Sequence, residues 1–257
     1  MTTRETIIAY SIKNSGDWNK TYIDIVKNGL LTQEDCEKVF ALKCETLVIT
    51  DADYPEALRN IRKPPLVLYY YGDISLLNNY KNNVSIVGSR KYSEYGASKT
   101  IEIASGLVRK GYTIVSGLAK GIDAIAHRAC IDNGGRTIAV LGCGIDICYP
   151  IENQDLYEII KRDHLVISEY PFDVEPLTYH FPIRNRIIAL ASKTLVLTEG
   201  NLMSGSSITA HLALAGNTDV MCVPYHAGEG SVCNRLINCG AVLVENAEDV
   251  VDAMSSF

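Results

Sequence analysis

The sequence predicts a doubly wound α/β fold on a mostly parallel sheet, preceded by a short helical N-terminal segment. Three observations carry this. Apolar runs of strand length recur between residues 84 and 245. A helical pattern fills the gaps between them. The runs are apolar almost throughout rather than alternating with polar residues, so the sheet they form must be covered on both faces.

Taken in order, residues 1 to about 45 read as short amphipathic helices. The clearest is "LTQEDCEKVFAL", with Thr32 as cap, acidic residues in the first turn, and Cys36, Val39 and Phe40 on one side. "TLVIT" (46–50) and "PLVLYYY" (65–71) are strands joined by a proline-containing connection. Seven further strands follow, at 84–88, 112–117, 137–142, 164–169, 194–200, 219–224 and 241–245. Helices are expected at 94–110, 121–133, 153–162, 183–192, 206–216, 231–239 and 246–254. The expected organisation is therefore a small helical segment over 1–45 and a Rossmann-like domain over 46–257. No repeat, low-complexity tract or further domain is expected.

Composition narrows the function classes. The 257 residues are 47% hydrophobic and 21% charged, enough for one large domain, and the net charge is −6. The molecule as a whole does not attract nucleic acid or an anionic membrane, so any polyanion site must be a local patch. No run reaches the roughly 18 apolar residues of a membrane span, and the first residues lack the zones of a signal peptide. Eight cysteines without a CxxC pair read as reduced thiols, Cys130 and Cys222 among them as apolar filler. The expectation is a soluble cytoplasmic protein without a metal site.

In such sheets, ligands bind beyond the carboxyl ends of the strands, and the loops there are distinctive. "VGSRKYSEYG" (87–96) is not GxGxxG, so no dinucleotide cofactor is expected. Gly88 permits a tight exit, and Arg90 either presents a fork of donors to a phosphate or lies solvated. "SGLAKGIDAIAH" (116–127) frees backbone N–H groups before a helix. Asp123 and His127 share a helix face there, but a cap and a packing residue suit them better than an acid–base pair. "LGCGIDICYP" (141–150) offers only GxG, a weak signal. In "EGNLMSGSSITA" (199–210), Ser204 to Ser207 stand before a helix as an anion cradle or as ordinary caps. "GSVCNRLINCGA" (230–241) repeats that arrangement, with Asn234 at a helix start.

"HFPIRNRIIAL" (180–190) poses a puzzle. The proline should open a helix, yet Arg184 and Arg186 follow in its first turn, where cations are disfavoured by about 0.3–1 kcal/mol each. The two point to different sides. One is expected to meet a phosphate and the other a carboxylate such as Glu199, with Phe181 offering a flat face to a base.

At this point the chain resembles the DNA-processing protein A (DprA/Smf) family. The resemblance runs from "YPEALRNIRKPPLVLYYYG" through "VGSRKYSEYG", "SGLAKGIDAIAHRACIDNGGRTIAVLGCGIDICYPIEN", "ISEYP", "FPIRNRIIA" and "EGNLMSGSSITA" to "NRLINCGA". It implies an extended Rossmann-like domain that binds single-stranded DNA without sequence preference and performs no chemical step. It further implies a homodimer that hands DNA to a RecA-type recombinase in natural transformation. The DNA contacts it implies are Gly88, Ser89, Arg90, Ser116, Gly117, Gly121, Phe181, Arg184, Asn185, Arg186, Gly205 and Ser206. Amides and arginines would hold phosphates, and Phe181 or a neighbour would stack a base.

The chain departs from the family pattern at Met203, where a basic residue is usual, and at Leu190 and Val232, where glycines are usual. A usual glycine is also missing after "SEYP", in a loop that carries Asp173 and Glu175. Each change lowers positive charge or backbone freedom, so weaker and more salt-sensitive binding is expected. Residues 1–45 match the family poorly. The rival expectation is a nucleotide-phosphate-binding enzyme of the phosphoribohydrolase kind. Against it, the glutamate of "EGNLMSGSSITA" precedes the loop where that chemistry has it following.

Overall fold

The N-terminal helices begin where polar side chains satisfy their free amides. In this computed structural model, which describes residues 1–227 and 230–256, Thr2 and Glu5 form a capping box for α1 (Thr3–Lys13). Asp17 caps α2 (Trp18–Lys27), and Thr32 with Asp35 caps α3 (Gln33–Phe40), as the sequence predicts for Thr32. α1 is not amphipathic, however. Six consecutive residues, Ile7 to Ile12, are buried, because the helix lies between the sheet and the other two helices. Ile7, Ile8 and Ile12 share a core cluster with Val48, Tyr69, Leu141 and Tyr157, and the Tyr69 hydroxyl donates to Ser11 Oγ at 3.0 Å.

The chain continues through β1 (Glu45–Val48), α4 (Glu56–Arg59), β2 (Val67–Gly72), α5 (Ser75–Asn78), β3 (Asn83–Gly88) and α6 (Glu94–Arg109). Next come β4 (Thr113–Ser116), α7 (Ile122–Asp132), β5 (Thr137–Gly144), α8 (Gln154–Asp163) and β6 (Leu165–Tyr170). It closes with α9 (His180–Leu190), β7 (Thr194–Glu199), α10 (Gly205–Ala215), β8 (Asp219–Cys222), α11 (Val232–Asn238), β9 (Val242–Leu243) and α12 (Ala247–Ser256). All nine strands join one sheet in the order β1-β2-β6-β5-β4-β3-β7-β8-β9. The seven from β6 to β9 in this order are parallel, and β1 and β2 are antiparallel additions at one edge.

Alternation of side chains along each strand divides the core. Ile138 and Val140 of β5 face a cluster with Ile187, Ile188 and Ala210 of α9 and α10. Ala139 and Leu141 face the opposite side, with α1 and Tyr157. Val84, Ile86 and Val196 complete that opposite side under α6, α7 and α12. Cys130 and Cys222 are fully buried within these layers.

The strand order reverses between β3 and β7. From β3 the chain builds outward through β4, β5 and β6, and α9 then carries it back to β7 on the other side of β3. α9 spans the sheet face: Arg184 reaches the end of β4 and the middle of β5, and at the end of the helix Ala191 O accepts from Asn83 Nδ2. Loops at such a reversal part toward opposite faces and leave a crevice between them.

Candidate nucleic-acid interface

Three chain segments meet at the carboxyl end of β3. The backbone leaves through Gly88 and Ser89, and the Ser89 carbonyl accepts from Ile122 N at 3.2 Å. Gly121, with φ +82°, lies against this exit; a Cβ there would come within 2.9 Å of Arg90 Cα. Only glycine accommodates both the positive φ and that approach. Arg90 is exposed and takes part in no ion pair among the described residues.

α9 supplies the opposite wall. The helix begins at His180, three residues before the expected start at 183. Arg184 and Arg186 therefore lie beyond the first turn, where the dipole penalty fades. Arg184 is only 3% exposed, and what makes it welcome is a set of carbonyls. Its Nη1 donates to Gly117 O, just past the end of β4, at 2.6 Å and to Val140 O in the middle of β5. Asp123 completes the arrangement by accepting from Gly117 N at 3.2 Å. Gly117 is thus held from both sides: a Cβ would fall 2.5 Å from Arg184 Nη1 and 2.7 Å from Asp123 Oδ2. Burial pushes Arg184 down to about 10, with Asp123 opposing the shift, so the guanidinium stays charged at neutral pH. Burial likewise raises the Asp123 carboxyl, against the pull of Arg184.

Phe181 sits between the two arginines. The guanidinium carbon of Arg90 lies 5.5 Å from its ring centre and that of Arg184 5.9 Å, within cation–π range. Tyr149 packs against the same ring at 5.4 Å. The ring rests on Gly142, where a Cβ would lie 2.8 Å from Cδ1. Arg90, Gly117, Ala119, Lys120, Tyr149, Pro150, Phe181 and Arg184 enclose a small pocket of about 70 Å³. Lys120, Tyr149 and Gly142 are absent from the residues named by sequence. Gly142 is the first glycine of the weak GxG, and its role as a seat for an aromatic ring is the signal that stretch held.

Asn185 joins this pocket to the serine-rich turn. Its Oδ1 accepts from Arg184 Nε at 3.2 Å, and its Nδ2 donates to Gly205 O at 3.3 Å. Ser204 caps α10 by accepting from Ser207 N at 3.2 Å. Ser204 and Ser206 pair through their hydroxyls at 2.8 Å. Gly205 faces open space, so the turn is a cap with an accessible backbone.

Other residues lie elsewhere. Ser116 is fully buried and donates to Ile86 O at 2.7 Å, which commits its hydroxyl to the sheet. Arg186 points away from the pocket into a bidentate pair with Glu169, at 2.5 and 2.6 Å. The carboxylate partner is therefore Glu169, not Glu199. Glu199 instead accepts from Ser93 N at 2.9 Å and Ser93 Oγ at 3.0 Å, tying β7 to the cap of α6. His127 is a packing residue: buried, with Nδ1 2.6 Å from Thr137 Oγ1, and pushed by burial down to about 3. Asn234 does not cap α11; Ser231 does, while the Asn234 amide clasps the backbone of Tyr225.

Of the departures, Met203 is fully exposed beside the serine turn. Leu190 is not near the pocket. It ends α9 and packs toward Gly216, so it does not limit backbone freedom there. Val232 is buried against Gly200, behind the turn. Among the described residues, no helix is long and apolar enough to cross a membrane, and no group of three or more His, Cys, Asp or Glu could hold a metal ion.

Comparison with known proteins identifies the family and the fold. The family model for DNA recombination-mediator protein A matches residues 45–255. The DNA processing protein DprA of Streptococcus pneumoniae is 43% identical over 211 residues, 81% of this chain and 74% of that protein. Its X-ray structure superposes with a TM-score of 0.81 at 34% identity, covering 98% of each chain. Protein Smf of Synechocystis is 44% identical over 202 residues, 76% of this chain but 51% of its own length, so this chain spans about half of that relative. The structure of DNA processing protein A from Helicobacter pylori, solved for its single-stranded DNA binding mode, gives a TM-score of 0.75 at 30% identity, over 84% of this chain and 97% of that one. With its strand reversal, its glycine-lined exits and these relatives, the chain belongs to the DNA recombination-mediator protein A family.

Proposed function

We propose that this protein binds single-stranded DNA without sequence preference at the pocket between β3 and α9, and that it does so without a chemical step. The observation that carries the reading is Arg90. An exposed arginine without an ion-pair partner among the described residues stands beside an aromatic ring and above a second, buried arginine, in a chain of net charge −6. Such a pairing of cation and ring takes a phosphate and its base together. The open backbone at Gly205 extends the rim beyond this pair. The binding mode reported for the Helicobacter pylori relative supports the same reading.

The acid and base candidates are occupied: Asp123 by Gly117, His127 by Thr137, Glu199 by Ser93. This favours binding over the phosphoribohydrolase alternative, in which one of them would be free to act. We extend the proposal to the wider role that the resemblance implies. The protein acts as a homodimer that protects the strand and passes it to a RecA-type recombinase during natural transformation or recombination.

The test is fluorescence anisotropy with oligo-dT at low salt. Arg90→Ala and Arg184→Ala together are expected to abolish binding by the folded protein, and unchanged binding would refute the site. Release of free base from nucleoside monophosphates would restore the enzymatic reading. Recombinase filament formation on DNA with and without the protein tests the handover.

A further inference from the structure

A second, much larger cleft lies on the other flank of α9. It has a volume of about 1550 Å³ and is walled by the α1–α2 turn, the 55–63 segment, the 77–82 segment and the outer sides of α9 and α10. That exceeds the about 300–1,000 Å³ of a small-molecule site, so its size suits a polymer. Lys20, Arg62, Lys63 and Lys81 line it, all four exposed. None of them takes part in an ion pair among the described residues. Of the carboxylates in the lining, Glu169 is engaged by Arg186 and Asp17 by the start of α2, which leaves Glu56. The cleft is therefore locally cationic against the global charge.

It also carries flat apolar faces. Trp18, the single tryptophan of the chain, stacks on Tyr22 at 5.0 Å with an interplanar angle of 8°. Lys63 Nζ lies 5.5 Å from the Trp18 ring centre. The indole is fixed by donation to Pro64 O at 2.6 Å, and Lys63 donates to Asn19 Oδ1 at 2.8 Å. These bonds clasp the N-terminal segment to the 60–64 connection. Continuity supplies the last argument. Tyr179 and His180 line the cleft while the next residue, Phe181, lines the small pocket. The two meet at the first turn of α9, so a single strand can run from one into the other without leaving the surface.

We infer that this cleft is a second subsite for the same single strand, which crosses the amino end of α9 and continues past Trp18 and the four basic side chains. The inference rests on the function proposed above. It gives the helical N-terminal segment a task, as the outer wall of an extended binding track.

Trp18 is the built-in reporter. Titration with dT20 is expected to quench its emission, whereas dT6, long enough for the pocket alone, leaves it unchanged; anisotropy detects binding of both. The triple variant Lys20→Gln, Arg62→Gln, Lys81→Gln is expected to weaken dT20 at least tenfold. It should also lower the salt slope by about two units, at roughly 0.7 per phosphate contact for single strands, with dT6 affinity unchanged. All three side chains are exposed, so folding should not suffer, and circular dichroism checks this. If dT20 binding depends on Arg90 while Trp18 emission and the triple variant's affinity do not change, the cleft is refuted and the pocket stands. Dependence on the triple variant but not on Arg90 keeps the cleft and removes the pocket. If neither oligonucleotide binds, both fall. Quenching by poly-glutamate but not by dT20 overturns the inference in favour of an acidic protein partner.

Discussion

The two flanks of α9 handle a buried arginine in opposite ways. On one flank Arg186 meets Glu169 in a bidentate pair and also donates to Lys63 O at 3.0 Å. Burial by itself would lower it, but the carboxylate outweighs that and holds it above its usual value. On the other flank Arg184 is satisfied by the carbonyls of Gly117 and Val140, and among the described residues no carboxylate lies within ion-pair distance of it. The first arrangement is closed and nearly neutral to its surroundings. The second keeps a positive charge just beneath Phe181. Two arginines two residues apart thus do different work: Arg186 fastens the helix to the sheet, and Arg184 lends its field to a pocket.

The sharpest way to break this contrast is to remove Glu169. Glu169→Ala leaves Arg186 buried without its partner, and the expected loss is about 3–5 kcal/mol in chemical denaturation. Replacing both members, as in Glu169→Leu with Arg186→Met, should cost less than either single change, because the desolvation of two charges disappears with them. The folded fraction of either variant should bind dT6 as the parent does. A double variant as unstable as the singles would show that the pair does more than fasten α9.

Gly117 tests the other flank. A methyl group there would be forced between Arg184 and Asp123, and the expected cost of such overpacking is about 1–3 kcal/mol. Unlike the Glu169 change, it should also impair binding of dT6, because the guanidinium must move from its carbonyls. Stability lost with dT6 affinity intact would separate Arg184 from the pocket.

The positive field on this flank also reaches His127. Burial, followed by the charges of His164 and Arg184, lowers it to about 3 in the folded protein, against about 6.5 unfolded. Between those values the unfolded chain binds a proton that the native protein does not. Stability is therefore complete above about pH 6.5 and falls as the pH drops, by at most about 1.4 kcal/mol per unit from this group. Urea midpoints at pH 7.5 and 5.5 should differ in that direction, and His127→Gln should narrow the gap. Burial lowers His164 and His180 as well, so part of the gap should remain.

The sequence made the sheet legible because strands such as 137–142 are buried on both faces and show no alternation to misread. It placed Gly88 to Arg90, Gly117, Gly121, Phe181 and Arg184 near one another because each follows or faces the carboxyl end of a parallel strand. The partner of Arg186 was not legible. Choosing Glu169 over Glu199 requires knowing that β6 and β7 lie on opposite sides of β3–β5, which local pattern does not encode. Lys120 and Tyr149 carry no motif of their own and join the pocket through loop geometry. α1 misled for a related reason. A helix covered on all sides has no apolar stripe, so its six buried residues gave no periodic signal, and the cleft it helps to wall stayed hidden with it.

Arg90 gives the smallest structural effect and the most direct reading of the contrast. Its side chain is exposed, accepts no load from the fold and pairs with no carboxylate among the described residues. Arg90→Ala should therefore leave the thermal midpoint where it is, whereas Glu169→Ala moves it far. The same change should lower the salt slope of oligo-dT binding by about 0.7, one phosphate contact on a single strand, together with a loss of affinity at low salt. A lower affinity with an unchanged slope would mean that Arg90 serves through its contact with Phe181 rather than through a phosphate. The ring would then be the anchor of the pocket, and Phe181→Leu should reproduce the loss with the slope again unchanged.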